Sequence, residues 1–195
     1  MSSYFGSMAA PNLKEELQRW LLSNRWHLHI TVQIEGFKLE DQEVEQRLRQ
    51  VCFDVNRTFL PSRFKKYDAS DVFWGIGVFE HEMRGGTRHC HTMWHVPFGK
   101  IKYAKHGDAE TKSKFWVAQI CNQIQTSWRM LASLNPTSFR QRTLKPLHIQ
   151  SLHSQPDSNS VAIYDSKKLG DSNQYTDWFV IGEPKRLASA KSRTL

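Results

Sequence analysis

The sequence predicts an α+β domain built on about five antiparallel strands, with helices mainly on one face of the sheet. Three observations predict it. Segments that alternate apolar and polar residues at a period of two interleave with segments whose apolar residues recur at helical spacing. Gly85-Gly86 separates two strand-like runs, which makes the central pair an antiparallel hairpin. The run Arg88-His89-Cys90-His91-Thr92-Met93-Trp94-His95-Val96-Pro97 reads as a strand with chemistry on one side. Side chains of a strand alternate between faces, so His89, His91, Met93 and His95 share one face and Cys90, Thr92, Trp94 and Val96 the other.

The remaining elements follow in order. Leu13, Leu17, Trp20 and Leu21 give residues 13–23 a short amphipathic helix. Residues 26–34 alternate strictly, with Leu28, Ile30, Val32 and Ile34 on one face and His27, His29, Thr31 and Gln33 on the other, the pattern of a half-buried strand. Residues 40–59 form a helix with an apolar stripe of Val44, Leu48, Val51, Cys52 and Val55. Residues 72–81 are the second strand and 88–96 the third. Residues 109–134 form a long helix with Phe115, Ile120, Ile124, Trp128 and Leu131 as core candidates, stopped by Asn135-Pro136. Residues 147–152 are a fourth strand. Ser158 or Asn159 is placed to cap a helix running to about Lys168, with Gly170 as its stop, and residues 178–181 are a fifth strand. The expected organisation is an N-terminal arm or helix (1–25), one domain (26–182) and a flexible basic tail (183–195).

Composition narrows the class. The 195 residues are 39% hydrophobic and 12% aromatic, enough for a real core. No apolar run reaches the length that crosses a bilayer, and no membrane partner is expected. Residues 1–11 lack a basic segment followed by an apolar one, so no secretory signal is expected. Cys52, Cys90 and Cys121 are far apart and form no C-x-x-C pair, which points away from a disulfide framework and towards a reducing, intracellular compartment. The net charge of +8 suits a polyanionic partner, nucleic acid before an acidic membrane surface.

Two sets of residues can carry chemistry. On the second strand Glu80 shares a face with Trp74, Ile76 and Val78 and lies close to the Gly-Gly turn, as His89 does on the returning strand. Glu80, His89 and His91 form a mixed nitrogen and oxygen set suited to Mg²⁺ or Mn²⁺, and it would also accept Zn²⁺, Co²⁺ or Ni²⁺. Glu82 competes for the carboxylate role if the turn is bulged. A second H-x-H pair, His27 and His29, faces DNA or solvent, with metal binding as the lesser alternative. Further along, Tyr164 and Lys167 are three residues apart on a helix and share a side. A phenol titrates near pH 10 and needs help to act as a nucleophile, which a lysine one turn away supplies. Tyr175 is the alternative nucleophile, but Trp178 occupies its third position onward.

In combination these features resemble the HUH endonucleases, and within them the single-tyrosine Rep-type nicking domains that start rolling-circle replication. The resemblance lies in the order of three motifs: a first strand with a polar face (26–33), His89-Cys90-His91, and Tyr164-Asp165-Ser166-Lys167. It spans about residues 26–181 and implies a ferredoxin-like or RRM-like nuclease fold. Cys90 is an unusual residue between the two histidines.

The resemblance implies a substrate of single-stranded DNA, presented in an origin hairpin. It implies one Mg²⁺ or Mn²⁺ held by Glu80, His89 and His91. Tyr164 then attacks the scissile phosphate, Lys167 stabilises the developing charge, and a 5′-phosphotyrosine and a free 3′-OH result. No G-x-x-x-x-G-K-[ST] motif occurs, so the helicase that many viral Rep proteins append is absent from these residues; a helicase and the replication machinery are the further partners the resemblance implies. The compartment would be a prokaryotic cytoplasm or, for a virus of eukaryotes, the host nucleus. DNA contacts are expected from His27, His29 and Gln33 on the polar sheet face, and from Lys65 and Lys66 beside Phe64 and Tyr67. Three other readings remain: a transposase-like strand transferase of the same superfamily, a non-enzymatic RRM-like binding module, and a structural zinc protein using His95 as a further ligand.

Overall fold

The structure, a computed structural model, describes residues 13–34, 40–80, 88–101, 109–133, 147–168 and 178–182. The Gly85-Gly86 turn, Glu82, Gly170, Tyr175 and the segment 183–195 lie outside the described residues, as do the side chains of Leu17 and Lys167. The elements run α1 (Leu13–Ser23), β1 (Leu28–Gln33), α2 (Asp41–Phe59), β2 (Trp74–Glu80), β3 (His89–His95), α3 (Ala109–Ser133), β4 (His148–Ser151), α4 (Gln155–Lys168) and β5 (Trp178–Ile181). The fold is α+β. Its strands form one antiparallel sheet in the order β4-β1-β3-β2-β5. From β1 to β4 the chain follows the β-α-β-β-α-β ferredoxin-like pattern. After α4, β5 adds to the outer edge of β2.

The two faces of the sheet differ as the alternation requires. Leu28, Ile30 and Val32 on β1 and Cys90, Thr92 and Trp94 on β3 are all 2% exposed or less. They join the stripe of α2 (Val44, Leu48, Val51, Cys52, Val55 and Phe59) in one core, with Ile120, Ile124 and Trp128 of α3 behind it. Phe115 does not belong to that stripe and is 55% exposed. The residues one turn before Ile120 are Trp116 and Val117, and those are the ones packed on the core. On β2, Gly77 faces Phe179 of β5, and a Cβ at Gly77 would occupy the space of the Phe179 ring, so the glycine lets the edge strand seat. Phe179 also stacks on Phe79, with ring centroids 5.1 Å apart.

The opposite face is covered at one end and open at the other. Trp20 of α1 packs on Trp26 and Trp74, at 6.3 and 5.8 Å between centroids. The Trp26 indole N–H donates to the carbonyl of Leu21 at 2.9 Å, so α1 is built into the core. α1 packs in turn on α4. The start of α4 differs from expectation: the helix begins at Gln155, a turn before Ser158. Its cap is a reciprocal box, in which the Asp157 N–H donates to Ser154 Oγ and the Asp157 carboxylate accepts from the Ser154 N–H. Ser158 is inside the helix and fully buried, with its hydroxyl accepting the Trp26 N–H at 3.0 Å.

One polar side chain ties α2 to the sheet. Asn56 is 5% exposed; its Oδ1 accepts the Phe73 N–H at 3.0 Å, and its Nδ2 donates to the carbonyls of Phe73 and Cys52 at 2.9 Å each. Removing it strands a buried donor and weakens the pairing of two acceptors. Asn56→Ala is expected to cost about 2–3 kcal/mol in urea unfolding. A loss below about 0.5 kcal/mol, the size of an ordinary surface change, would contradict this account of the α2–β2 junction.

Candidate active site

Register builds the site. β3 is the central strand, with Gln33 of β1 and Glu80 of β2 both opposite His89, and Thr31 and Val78 both opposite His91. Odd-numbered residues of β3 therefore share a face with Gln33, Thr31 and His29 of β1 and with Glu80 of β2. On this face His91 Nε2–H donates to Glu80 Oε2 at 3.0 Å, and the Thr31 hydroxyl donates to His91 Nδ1 at 3.3 Å. The His89 ring stands 6.0 Å from that of His91. Glu80, His89 and His91 offer ligand atoms that all lie within 4.8 Å of one another.

The charge state suits ligation. His91 and Glu80 are each 12% exposed at the side chain. Burial pulls the His91 pKa below its ordinary value, the nearby His29 adds to this, and Asp165 and Glu80 oppose it. The ring is neutral near pH 7 and keeps a lone pair. Cys90, between the two histidines, points to the other face; burial holds its thiol well above the ordinary range, so it is a core residue.

Two imidazoles and a carboxylate on adjacent strands fit a divalent cation of the Mn²⁺ or Mg²⁺ kind, and would take Zn²⁺ equally. Thr31 would orient His91 from behind, by accepting from Nδ1–H once Nε2 is a ligand.

The α4 helix brings two further side chains over this face, and a single helical step separates their fates. Tyr164 is 48% exposed, with its ring edge-on to His91 at 5.8 Å between centroids and 79° between planes. The next residue, Asp165, is 1% exposed and points into the sheet, with Oδ2 3.7 Å from His29 Nε2. Lys167 lies in the last turn of α4. The sequence reading did not single out Asp165. Its signal was faint: a carboxylate next to the tyrosine, on the helix flank that also carries the buried Ala162 and Ser158.

The residues expected to touch DNA divide. Gln33 is exposed at the end of β1 beside His89, and Lys65 and Lys66 are exposed, with Lys65 Nζ 5.1 Å from the centre of the Phe53 ring. His27 and His29 are not on an open surface. His29 stacks on His91 with ring centroids 5.5 Å apart and planes 3° from parallel. His27 sits at the far end of the face between His95 and Phe98, each 5.2 Å away, and its Nδ1 accepts the Val96 N–H at 3.0 Å. His95 is at that same end, beside the carbonyls of Ser70 and Arg25, which takes it away from the Glu80 cluster.

No family model, no curated protein and no solved structure matches this chain. Among the described residues no helix is long and apolar enough to cross a membrane.

The buried His27 gives a pH test. Burial first, then His95 and Arg25, push its pKa from 6.5 down to about 3. Between those values the unfolded chain holds the extra proton, so stability is full above about 6.5 and is lost as pH falls towards 3, by up to about 1.4 kcal/mol per unit from this group. His27→Asn keeps an acceptor for the Val96 N–H and removes the titration. Urea unfolding from about pH 7 to 4 is expected to show a shallower fall in the variant; equal slopes would contradict the assignment.

Proposed function

We propose that this protein nicks and rejoins single-stranded DNA through Tyr164, as the initiator of rolling-circle replication. The observation that carries the reading is the meeting of a half-exposed tyrosine with a two-imidazole, one-carboxylate cluster: Tyr164 from α4 stands against His91, which is bonded to Glu80. A metal-binding structural role gives no reason for that tyrosine, and a binding module gives no reason for the cluster. The net charge of +8 suits a polyanionic substrate.

Glu80, His89 and His91 would hold one Mg²⁺ or Mn²⁺. The cation, when bound, would polarise the scissile phosphate and stabilise the charge that gathers on its oxygens. The chain's own groups do the rest. The position of Tyr164 at the rim lets its Oη line up with the phosphorus while the DNA stays outside. The Oη–P bond forms as the P–O3′ bond breaks, the phenolic proton is lost, and the leaving 3′-oxygen takes up a proton. Lys167 is assigned the stabilisation of the phenolate. The phosphotyrosine retains the phosphodiester energy, so attack by a 3′-OH reverses the step and rejoins a strand. Gln33, Lys65 and Lys66 are assigned to contact the DNA.

The test is a denaturing gel of the protein with a pool of single-stranded hairpins and Mn²⁺, with and without EDTA. A slower, DNase-sensitive band is expected that needs Mn²⁺, disappears in Tyr164→Phe and falls by at least about a hundredfold in His91→Ala. DNA binding by Tyr164→Phe is expected to stay within about twofold of the unaltered protein. No band with any pool, despite tight salt-dependent binding, would replace this reading with that of a nucleic-acid-binding module.

A further inference from the structure

Asp165 presents a problem that the Glu80 cluster does not solve. Its carboxylate is fully buried, and among the described residues neither oxygen has a hydrogen-bond partner. His29 Nε2, 3.7 Å away, is also buried without one. Buried charges in folded proteins are paired, hydrogen-bonded or bound to a metal. The His29 and His91 rings, from adjacent strands, lie parallel, and α4 closes the space above them with Asp165. The candidate ligand atoms of His29, His91 and Asp165 all lie within 4.8 Å of one another. Bonds of about 2.1 Å put opposite ligands of one cation about 4.2 Å apart, so a small contraction completes the set.

We propose that His29, His91 and Asp165 form a second divalent-cation position, sharing His91 with the Glu80 cluster and lying beneath the residue next to Tyr164. The donor set, two imidazoles and one carboxylate, is the same as in the first position, so the two take the same class of cation. One imidazole nitrogen serves one cation at a time, and each position is therefore read in a variant that lacks the other's own ligands. The inference goes beyond the nicking reaction and is tested by cation uptake, so it can fail while a Tyr164 adduct still forms, or hold when none does.

The probe is Mn²⁺ alone, followed by titration calorimetry and by the electron spin resonance of the free ion. The double variant Glu80→Gln, His89→Ala is expected to retain Mn²⁺ binding. Adding Asp165→Asn is expected to lower that affinity by at least about tenfold. In EDTA, Asp165→Asn alone is expected to melt at a higher temperature than the unaltered protein, because it removes a buried carboxylate whose oxygens accept no hydrogen bond among the described residues, and to gain less from added Mn²⁺. If Asp165→Asn does not fold, His29→Ala in the same double variant gives the same reading. Three results would overturn the proposal: no Mn²⁺ binding in Glu80→Gln, His89→Ala; unchanged affinity on adding Asp165→Asn; or a lower melting temperature for Asp165→Asn in EDTA with an unchanged response to Mn²⁺. The last is the signature of a simple His29–Asp165 ion pair.

Discussion

The register of β3 is the constraint on which the rest of the structure depends. β3 is hydrogen-bonded on both edges, to β1 and to β2, and every second residue, Cys90, Thr92 and Trp94, is buried because that face meets the core. A slip of one residue would bury His89 and His91 and expose Cys90 and Trp94. Polar bonds inside the core reinforce the register. Thr92 is fully buried; its hydroxyl donates to the Ile30 carbonyl at 3.2 Å and accepts the Trp94 indole N–H at 2.8 Å. The bond to Ile30 crosses from β3 to β1 and does not survive a slip. The gathering of His89 and His91 with Glu80 and Thr31 is thus a consequence of how the core is packed.

The second component is the placement of α4. Three contacts hold it: the Ser154–Asp157 box, the Ser158 hydroxyl on the Trp26 N–H, and the packing against α1. With the helix so fixed, the step of about 100° between adjacent residues divides Tyr164 from Asp165. Tyr164 is left at the rim, and Asp165 is turned onto His29. A single helical step thereby supplies the exposed phenol of the proposed reaction and the buried carboxylate that calls for a cation.

Period and turn chemistry made most of the fold legible in the sequence. Strict alternation over 28–34, the short apolar run around 89–96 beyond the Gly-Gly turn and the 3.6 spacing of α2 leave little freedom, and the strands and helices appear where those patterns put them. The start of α4 was missed because Ser154 and Asp157 form a box of the less common aspartate kind, and Ser158 reads as a cap when its true partner, Trp26, is distant in sequence. Phe115 matches the core by hydrophobicity alone and lies off the stripe, where it is exposed. Of the site, the share traceable to one hairpin was legible, since Glu80 and His89 are direct partners across it. The role of Thr31 and the pairing of Asp165 with His29 were not, since both arise from packing between elements far apart in sequence. The same holds for His27, whose polar label conceals a backbone acceptor in a half-buried aromatic cluster.

The proposed nicking reaction needs the Glu80 cluster and Tyr164 to act on one phosphate, and their closeness is the physical basis of the proposal. The most direct measurement is to isolate the Mn²⁺-dependent covalent product, digest it with protease and nuclease, and locate the residual nucleotide by mass spectrometry. The account predicts a nucleotide on the peptide containing Tyr164, attached through phosphate to the phenol. Attachment at Tyr175, or at any residue outside α4, would contradict it.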